Sequence, residues 1–230
     1  MQDRIKCLAV NTATKVLSIA LVEGEEVLHF YETTETRDQG NLLLGHIQSG
    51  LKKNNMSFDD LDVLAVVTGP GSFTGIRIGL ATMRGIALAA NKPIIGLSSF
   101  DMFAVPDTEA INVIAVESWR EELYFAAIDE GHPLIACSNE TPEVFAKRFR
   151  HELPGDHNIR LSGDAAGALV TLFPGAVLAD KEANAINVAH IAMHRFRNGG
   201  VHQKPAPYYL READVTISPK VTRTLKAREE

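Results

Sequence analysis

Runs of apolar residues divide the first half of the chain into strands and helices. Only short polar breaks separate the first three runs, and breaks of this length form hairpin turns, so we predict an antiparallel meander. A helix follows, because its apolar residues recur at the spacing of one helix face. The predicted elements, in the order strand, strand, strand, helix, strand, helix, strand, are 5–11, 16–22, 26–33, 41–53, 63–67, 74–90 and 93–97.

The second half repeats this order with different residues. A unit of three strands, helix, strand and helix that occurs twice resembles the actin-like superfamily of sugar kinases and Hsp70 ATPase domains, in which two such halves face each other across a cleft. The resemblance implies an α/β fold with two lobes. The predicted elements are strands at 111–117, 122–129, 133–138, 159–161 and 176–178 and helices at 142–150, 165–172 and 187–196.

The boundary between the two halves is expected near 106–110. This division gives an N-terminal lobe at 1–107, which carries the long helix, and a C-terminal lobe at 108–217. The remaining residues, 218–230, are polar and lack periodicity, so we predict a flexible tail.

Composition and charge limit the classes of function. The chain has 230 residues, 45% apolar and 23% charged, which suits one large folded domain or two small ones. A formal net charge of −6 argues against a large nucleic-acid surface, but not against a complex whose partner holds the nucleic acid. No apolar run reaches the length of a membrane span. We therefore expect a soluble cytoplasmic protein in which Cys7 and Cys137 are buried apolar side chains.

A glycine-rich loop, GPGSFTGIRIG, begins at Gly69. It lacks the lysine of a Walker loop and the third glycine of a dinucleotide-binding fingerprint, so neither nucleotide motif is present. Two alternatives remain for the helix N-terminus after the loop: it binds an anion, or Ser72 or Thr74 caps it. A proline followed by a glycine favours a tight turn. We assign a structural role to the loop residues Gly69, Pro70, Gly71 and Gly75.

The helix at 74–90 is apolar on two opposite sides. At 100° per residue, one side holds Ile76, Leu80 and Met83, an ordinary core face. The opposite side also carries small and apolar residues, where a surface helix is polar. Such a helix is either buried inside one chain or covered by another subunit, and its glycines allow close approach. We assign to partner binding Ser72, Phe73, Thr74, Arg77, Ile78, Ala81, Thr82, Arg84, Gly85, Leu88 and Ala89.

The segment GPGSFTGIRIGLATMRGIALAANKPIIGLSSF resembles the signature of the bacterial TsaB family, also called YeaZ. Members of this family are glycoprotease-like proteins with the actin-like fold. The resemblance is strong at 63–99 and covers the N-terminal half well. It extends weakly to the ELY at 122–124 and the APYYLR at 206–211.

This resemblance implies a part in making N6-threonylcarbamoyladenosine at position 37 of tRNAs that read codons beginning with A. In this family, TsaB is a non-catalytic subunit that pairs with TsaD through the helix after the glycine loop, and the ATPase TsaE joins them. When TsaD is missing, the chain is expected to form a homodimer. It is expected to contact tRNA only indirectly, through its partners. The complex uses ATP and Mg, and we expect this chain to bind no cofactor, metal or membrane tightly.

Three positions depart from the family pattern. The usual aspartate of the first strand is Asn11, and an amide lacks the negative charge that helps to organise a metal ion. The usual histidine before the first helix is Gln39, and the usual D-A-R of the second half is the E-S-W at 117–119, followed by Arg120. These departures leave the helix signature intact and favour a scaffold over an enzyme.

The alternative is an enzyme on the same fold, either a small-molecule kinase or a glycoprotease-like hydrolase. His190 and His194 stand one helical turn apart, but without the glutamate of a zinc-protease motif, so we predict no metal site there. The residues around Ser72 do not form the G-x-S-x-G motif of a nucleophile elbow, and we assign no catalytic residue. Trp119 with Arg120 either stacks on a base or a partner, or belongs to the core or a hairpin turn.

Overall fold

Strand Lys6–Asn11 (β1) occupies the centre of the first sheet. It pairs antiparallel with Leu17–Glu23 (β2), which pairs antiparallel with Glu26–Thr33 (β3). On its other side β1 is parallel to Val63–Gly69 (β4), and β4 is parallel to Ile94–Ser98 (β5). The strand order is therefore β3-β2-β1-β4-β5. The fold is that of a computed structural model, which describes residues 4–35, 39–104, 109–129, 131–179, 183–199 and 204–211.

The second sheet repeats the order and the strand directions of the first. Its strands are Ile111–Val116 (β6), Leu123–Asp129 (β7), His132–Glu140 (β8), Ile159–Ser162 (β9) and Val177–Leu178 (β10). β6 takes the central place of β1, antiparallel to β7 and parallel to β9, in the order β10-β9-β6-β7-β8. The duplication predicted from the sequence is confirmed for the strands.

Helices pack against both sheets. In the described residues they are Gln39–Lys53 (α1), Phe73–Ala89 (α2), Ser99–Phe103 (α3), Pro142–Glu152 (α4) and Ala185–Arg197 (α5). α1 and α2 pack beside each other on the first sheet, and α4 packs on the second. In α1 the predicted core residues Leu43, Ile47 and Leu51 are buried, but Leu44 is 42% exposed. None of the described helices has the length and apolar character needed to cross a bilayer.

The helix predicted at 165–172 is wrong, because the segment forms only a 3₁₀ turn, Ala166–Leu169. Just before it, Gly163 has φ +103 and lies so close to β6 that a Cβ would be 2.0 Å from the carbonyl oxygen of Ala115. The N–H of Ala165 donates to the same carbonyl at 3.1 Å. The start of the segment is thus fixed on a strand, and apolar spacing alone does not show that constraint.

Helix α5 returns from the second half of the chain to the first sheet. It packs against β1, β2, β4 and β5, and its buried residues Val188, Ala189 and Ala192 join the core around β1. The N–H of Ala185 donates to Ser18 Oγ at 2.9 Å. The core of the first sheet therefore includes a helix from the predicted second lobe. The division into 1–107 and 108–217 stays a prediction, and the tail at 218–230 lies outside the described residues.

The two cysteines differ in burial, which predicts a difference in reactivity. Cys7 on β1 is buried, whereas Cys137 on β8 is half-buried. Burial, with a smaller contribution from the carboxylate of Asp62, raises the pKa of the Cys7 thiol and so lowers its thiolate fraction. In the native protein we expect a disulfide reagent such as DTNB to modify Cys137 and to leave Cys7 intact, as measured by peptide mass spectrometry. Equal labelling would contradict this expectation.

Candidate partner-binding face on helix α2 and the adjoining cleft

Ser72 begins helix α2 as its N-cap. Its side-chain oxygen accepts a hydrogen bond from the N–H of Gly75 at 3.2 Å, and its carbonyl accepts from the N–H of Ile76 at 2.9 Å. Its own N–H donates to the carbonyl of Ala13 at 2.7 Å, in the loop between β1 and β2. Of the residues predicted to cap the helix, Ser72 is confirmed, and Thr74 lies exposed in the first turn.

Three glycines let α2 and its loop lie directly against the end of β1. A Cβ at Gly71 would be 2.1 Å from the carbonyl oxygen of Ala13, and one at Gly75 would be 1.9 Å from that of Thr12. A Cβ at Gly79 would be 2.4 Å from Thr12 Oγ1. Because atoms in proteins do not approach this closely, contacts inside the chain require glycine at these positions.

Gly85 faces away from the core, towards the outside of the helix. A Cβ there would meet no described residue within 4 Å. Around it, Ala81 and Ala89 are exposed, Ile78 is half-buried, and Leu88 is 83% exposed. We call these five residues the outer face of α2. The described part of the chain leaves this face open and buries only the opposite side of the helix.

The residues assigned to partner binding lie on or beside the outer face, and their binding to a partner stays a prediction. The helix exposes small, apolar and basic side chains together, instead of the polar set typical of a surface helix. Exposed are Phe73, Thr74, Arg77, Ala81, Arg84, Gly85, Leu88 and Ala89, and half-buried are Ser72, Ile78 and Thr82.

Arg77, at the first turn of α2, is held by aromatic residues of its own chain. Its guanidinium lies 3.6 Å from the centre of the Phe73 ring, and its Nε donates to the hydroxyl of Tyr209 at 3.1 Å. Tyr209 reaches this position because the N–H of Tyr208 donates to the carbonyl of Thr68 at 2.8 Å, at the end of β4. No sequence pattern singles out Tyr209, although the APYYLR segment that contains it belongs to the weak resemblance.

A cleft of about 420 Å³ opens between the N-terminus of α2 and the turn that joins β6 to β7. In this turn Trp119 has φ +58 and is 49% exposed. The hairpin-turn alternative for Trp119 and Arg120 is confirmed, and both residues also line the cleft. The lining residues come from both lobes and from the C-terminal segment: Gly71, Ser72, Phe73, Thr74, Ser118, Trp119, Arg120, Tyr124, Tyr209 and Arg211.

Asn11, which stands where the family pattern has aspartate, is fully buried and organises the loop after β1. Its Nδ2 donates to Thr14 Oγ1 at 2.7 Å and to the carbonyl of Val16 at 3.1 Å, and its Oδ1 accepts from the N–H of Ala13 at 3.0 Å. A carboxylate cannot donate the first two of these bonds. The amide therefore has a structural role in this loop.

The remaining sequence candidates lie apart from the cleft lining. Gln39 is the first residue of α1 and is half-buried. On α5, a ring nitrogen of His194 lies 3.2 Å from Asn198 Nδ2, and His190 Nε2 is buried with no hydrogen-bond partner among the described residues. Within the described ranges, no three His, Cys, Asp or Glu side chains meet in a group that could hold a metal ion.

The segment that carries α2 matches a known family. The family model described as TsaD: tRNA N6-adenosine threonylcarbamoyltransferase covers residues 36–160, more than half of the chain. The tRNA threonylcarbamoyladenosine biosynthesis protein TsaB of Escherichia coli (strain K12) is 32% identical over 152 residues, 64% of this chain and 65% of that protein. The TsaB of Haemophilus influenzae is 33% identical over 130 residues, 55% of each chain. The chain belongs to the TsaB (YeaZ) branch of this family.

A solved structure supports the same fold for this TsaB-family chain. YeaZ from Pseudomonas aeruginosa aligns with a TM-score of 0.72 at 23% identity, covering 90% of this chain and 100% of that one. With the duplicated sheet order, this match confirms the two-lobed actin-like fold predicted from the sequence. The sequence alignments cover 65% of the Escherichia coli protein and 55% of the Haemophilus influenzae protein, so this chain matches less than two thirds of the length of either relative.

Proposed function

We propose that this chain is the non-catalytic dimerisation subunit of the machinery that makes N6-threonylcarbamoyladenosine in tRNA. In this role it pairs with a TsaD-type subunit and, with it, recruits the ATPase TsaE. The outer face of α2 is the observation that carries the proposal, because it exposes Leu88 and a row of small residues on a helix whose other side is buried. The names of its TsaB relatives, tRNA threonylcarbamoyladenosine biosynthesis proteins, support the pathway.

The outer face has the shape that close packing of two helices requires. Ala81, Gly85 and Ala89 are spaced by four residues and form one row of small side chains along the helix. On the helix surface, Leu88 lies on one side of this row, three residues after Gly85, and Ile78 lies on the other, three residues before Ala81. A ridge of side chains from a second helix fits such a groove, and burial of Leu88 in the contact contributes roughly 2 kcal/mol.

A TsaD-type partner is favoured because α2 lies inside the segment that the TsaD family model matches. A TsaD-type chain then carries a helix at the equivalent place, and two equivalent helices can pair around an approximate two-fold axis. The same face serves a second copy of this chain when the partner is missing. Contact with tRNA is indirect, since a net charge of −6 gives no general attraction for a polyanion.

The pairing is tested with the full chain and the TsaD subunit of the same organism, each purified separately. Size-exclusion chromatography with light scattering is expected to show a homodimer of this chain alone and a one-to-one heterodimer in the mixture. Addition of TsaE with Mg-ATP is expected to convert the heterodimer into a larger complex. Separate elution of the two proteins at every concentration would overturn the proposal.

The second candidate function is an enzyme on the same fold, a small-molecule kinase or a glycoprotease-like hydrolase. The cleft favours it, because it places arginines and aromatic rings from both lobes around one space. We nevertheless predict weak or no binding of Mg-ATP by the isolated chain, because the buried amide of Asn11 offers a metal ion no negative charge. Isothermal titration calorimetry measures this binding, and a tight, saturable signal would favour the enzyme.

A further inference from the structure

The loop that joins β1 to β2 lies between α2 and the second lobe. On the α2 side, Thr12 Oγ1 donates to the carbonyl of Gly75 at 2.7 Å, and the carbonyl of Ala13 accepts from the N–H of Ser72 at 2.7 Å. Thr12 and Ala13 are fully buried, and the glycines of α2 leave no gap between the helix and the loop. A displacement of α2 therefore has to displace the loop as well.

Lys15, in the same loop, makes three contacts with the second lobe. Its backbone N–H donates to Asp164 Oδ2 at 3.1 Å, and its Nζ donates to the backbone carbonyl of Asp164 at 3.3 Å. Its Nζ also forms an ion pair with Glu117 Oε2 at 2.9 Å. Lys15 thus contacts two acidic residues on separate segments of the second lobe. These two residues are also joined directly, because the N–H of Glu117 donates to Asp164 Oδ1 at 2.9 Å.

Glu117 fixes the position of Trp119 at the same time. Its Oε1 accepts hydrogen bonds from the N–H groups of Ser118 and Trp119, at 3.0 and 2.8 Å. These bonds hold Trp119 at φ +58, a left-handed conformation that residues other than glycine adopt rarely. Burial acts to raise the pKa of Glu117, but hydrogen bonds from Lys15 and Trp119 outweigh it and lower that pKa, so the carboxylate is charged at neutral pH.

We infer that Lys15, Glu117 and Asp164 form a latch between the lobes, and that the latch transmits the position of α2 to Trp119 in the cleft. The contacts are continuous from α2 through the β1–β2 loop to Lys15, Glu117 and Trp119. The two states are the closed latch of this structure and an open latch, in which Trp119 leaves its left-handed conformation. The inference goes beyond the proposed function and does not rest on it, since every contact lies within this chain. Its consequence is regulatory, because a protein bound to α2 and a group bound in the cleft then influence each other.

The latch is tested by Lys15→Met, which keeps a long apolar side chain and removes the charge. Glu117 and Asp164 then face each other without a cation, which favours the open state. We expect roughly tenfold faster hydrogen exchange of the Ser118 and Trp119 amides, because hydrogen bonds to a held carboxylate are lost. Acrylamide quenching of Trp119, the single tryptophan of the chain, is expected to increase.

The matched control is Lys147→Met, the same change at an exposed position of α4. It is expected to leave exchange and quenching at wild-type values. Circular dichroism confirms that each variant is folded. A folded Lys15→Met protein with wild-type exchange at Ser118 and Trp119 would overturn the latch.

The link to α2 is tested by two glycine substitutions on the same helix. Gly79→Ala presses a Cβ against Thr12 Oγ1 and is expected to change Trp119 quenching, whereas Gly85→Ala, whose Cβ meets nothing within 4 Å, is expected to leave it unchanged. Thr12→Val removes the hydrogen bond to Gly75 with little change in shape and is expected to act like Gly79→Ala. If Gly79→Ala and Thr12→Val both leave Trp119 unchanged while Lys15→Met alters it, the link between α2 and the latch is refuted.

Discussion

Replacement of Gly85 by tryptophan is expected to weaken pairing with the proposed TsaD-type partner strongly and to leave the fold intact. The indole would occupy the centre of the outer face, in the row of small residues where a second helix has to approach closely. Because a Cβ at Gly85 meets no described residue within 4 Å, the described part of the chain has room for the larger side chain. We expect the dissociation constant of the heterodimer to rise at least about 100-fold, an effect typical of an interface hot spot.

Calorimetric titration of the partner into each variant measures this loss. Ala81→Arg places a charge in the same row and is expected to act in the same direction. Gly167→Trp is the matched control, because Gly167 is exposed in the second lobe and a Cβ there also meets nothing within 4 Å. Wild-type affinity in both α2 variants would show that the partner binds elsewhere.

Replacement of Gly75 by alanine is expected to lower the free energy of unfolding by about 3 kcal/mol. The new Cβ would lie 1.9 Å from the carbonyl oxygen of Thr12, a backbone atom in a buried loop that cannot rotate away. Either α2 or the loop has to move, which also disturbs the hydrogen bond from Thr12 Oγ1 to the Gly75 carbonyl. Urea unfolding followed by circular dichroism measures the change.

The same substitution at Gly85 is the control, with an expected effect of opposite sign. Alanine is the better helix former, and its Cβ at this position meets no described residue outside its own helical turns within 4 Å, so we expect a gain of roughly 0.5–1 kcal/mol. Equal losses at Gly75 and Gly85 would contradict the assignment of Gly75 to docking within the chain and of Gly85 to the outer face.

Local patterns predicted most of the architecture. The 3.6-residue period placed Ile76, Leu80 and Met83 on the buried side of α2 and Gly85 on the open side, as the structure has them. This worked because a long helix between a sheet and solvent has one strong constraint, the burial of its apolar stripe. Where a second constraint acts, as at Gly163, whose backbone lies against β6, the same period predicted a helix that does not form.

Contacts between distant parts of the chain were beyond the reach of sequence patterns. Tyr209 meets Arg77 across 132 positions, and Lys15 meets Asp164 across 149, so no local spacing indicates either pair. The spacing of the glycines also did not show which of them α2 needs for contacts within the chain. Those contacts are made with the loop at Thr12, which is distant in sequence. The two-sided helix predicted either burial inside the chain or a partner, and only the family resemblance supplied the proposed partner.

The return of α5 to the first sheet has a consequence for how the protein is made. Residues from Ala185 to Arg197 complete the core around β1, yet the ribosome synthesises them more than 170 residues after that strand. While the second lobe is being translated, the sheet that carries the outer face of α2 lacks one of its covering helices. The nascent chain therefore exposes two surfaces at once, one that α5 later covers and the outer face of α2 that we propose for a partner, and we expect chaperone protection to matter at this stage.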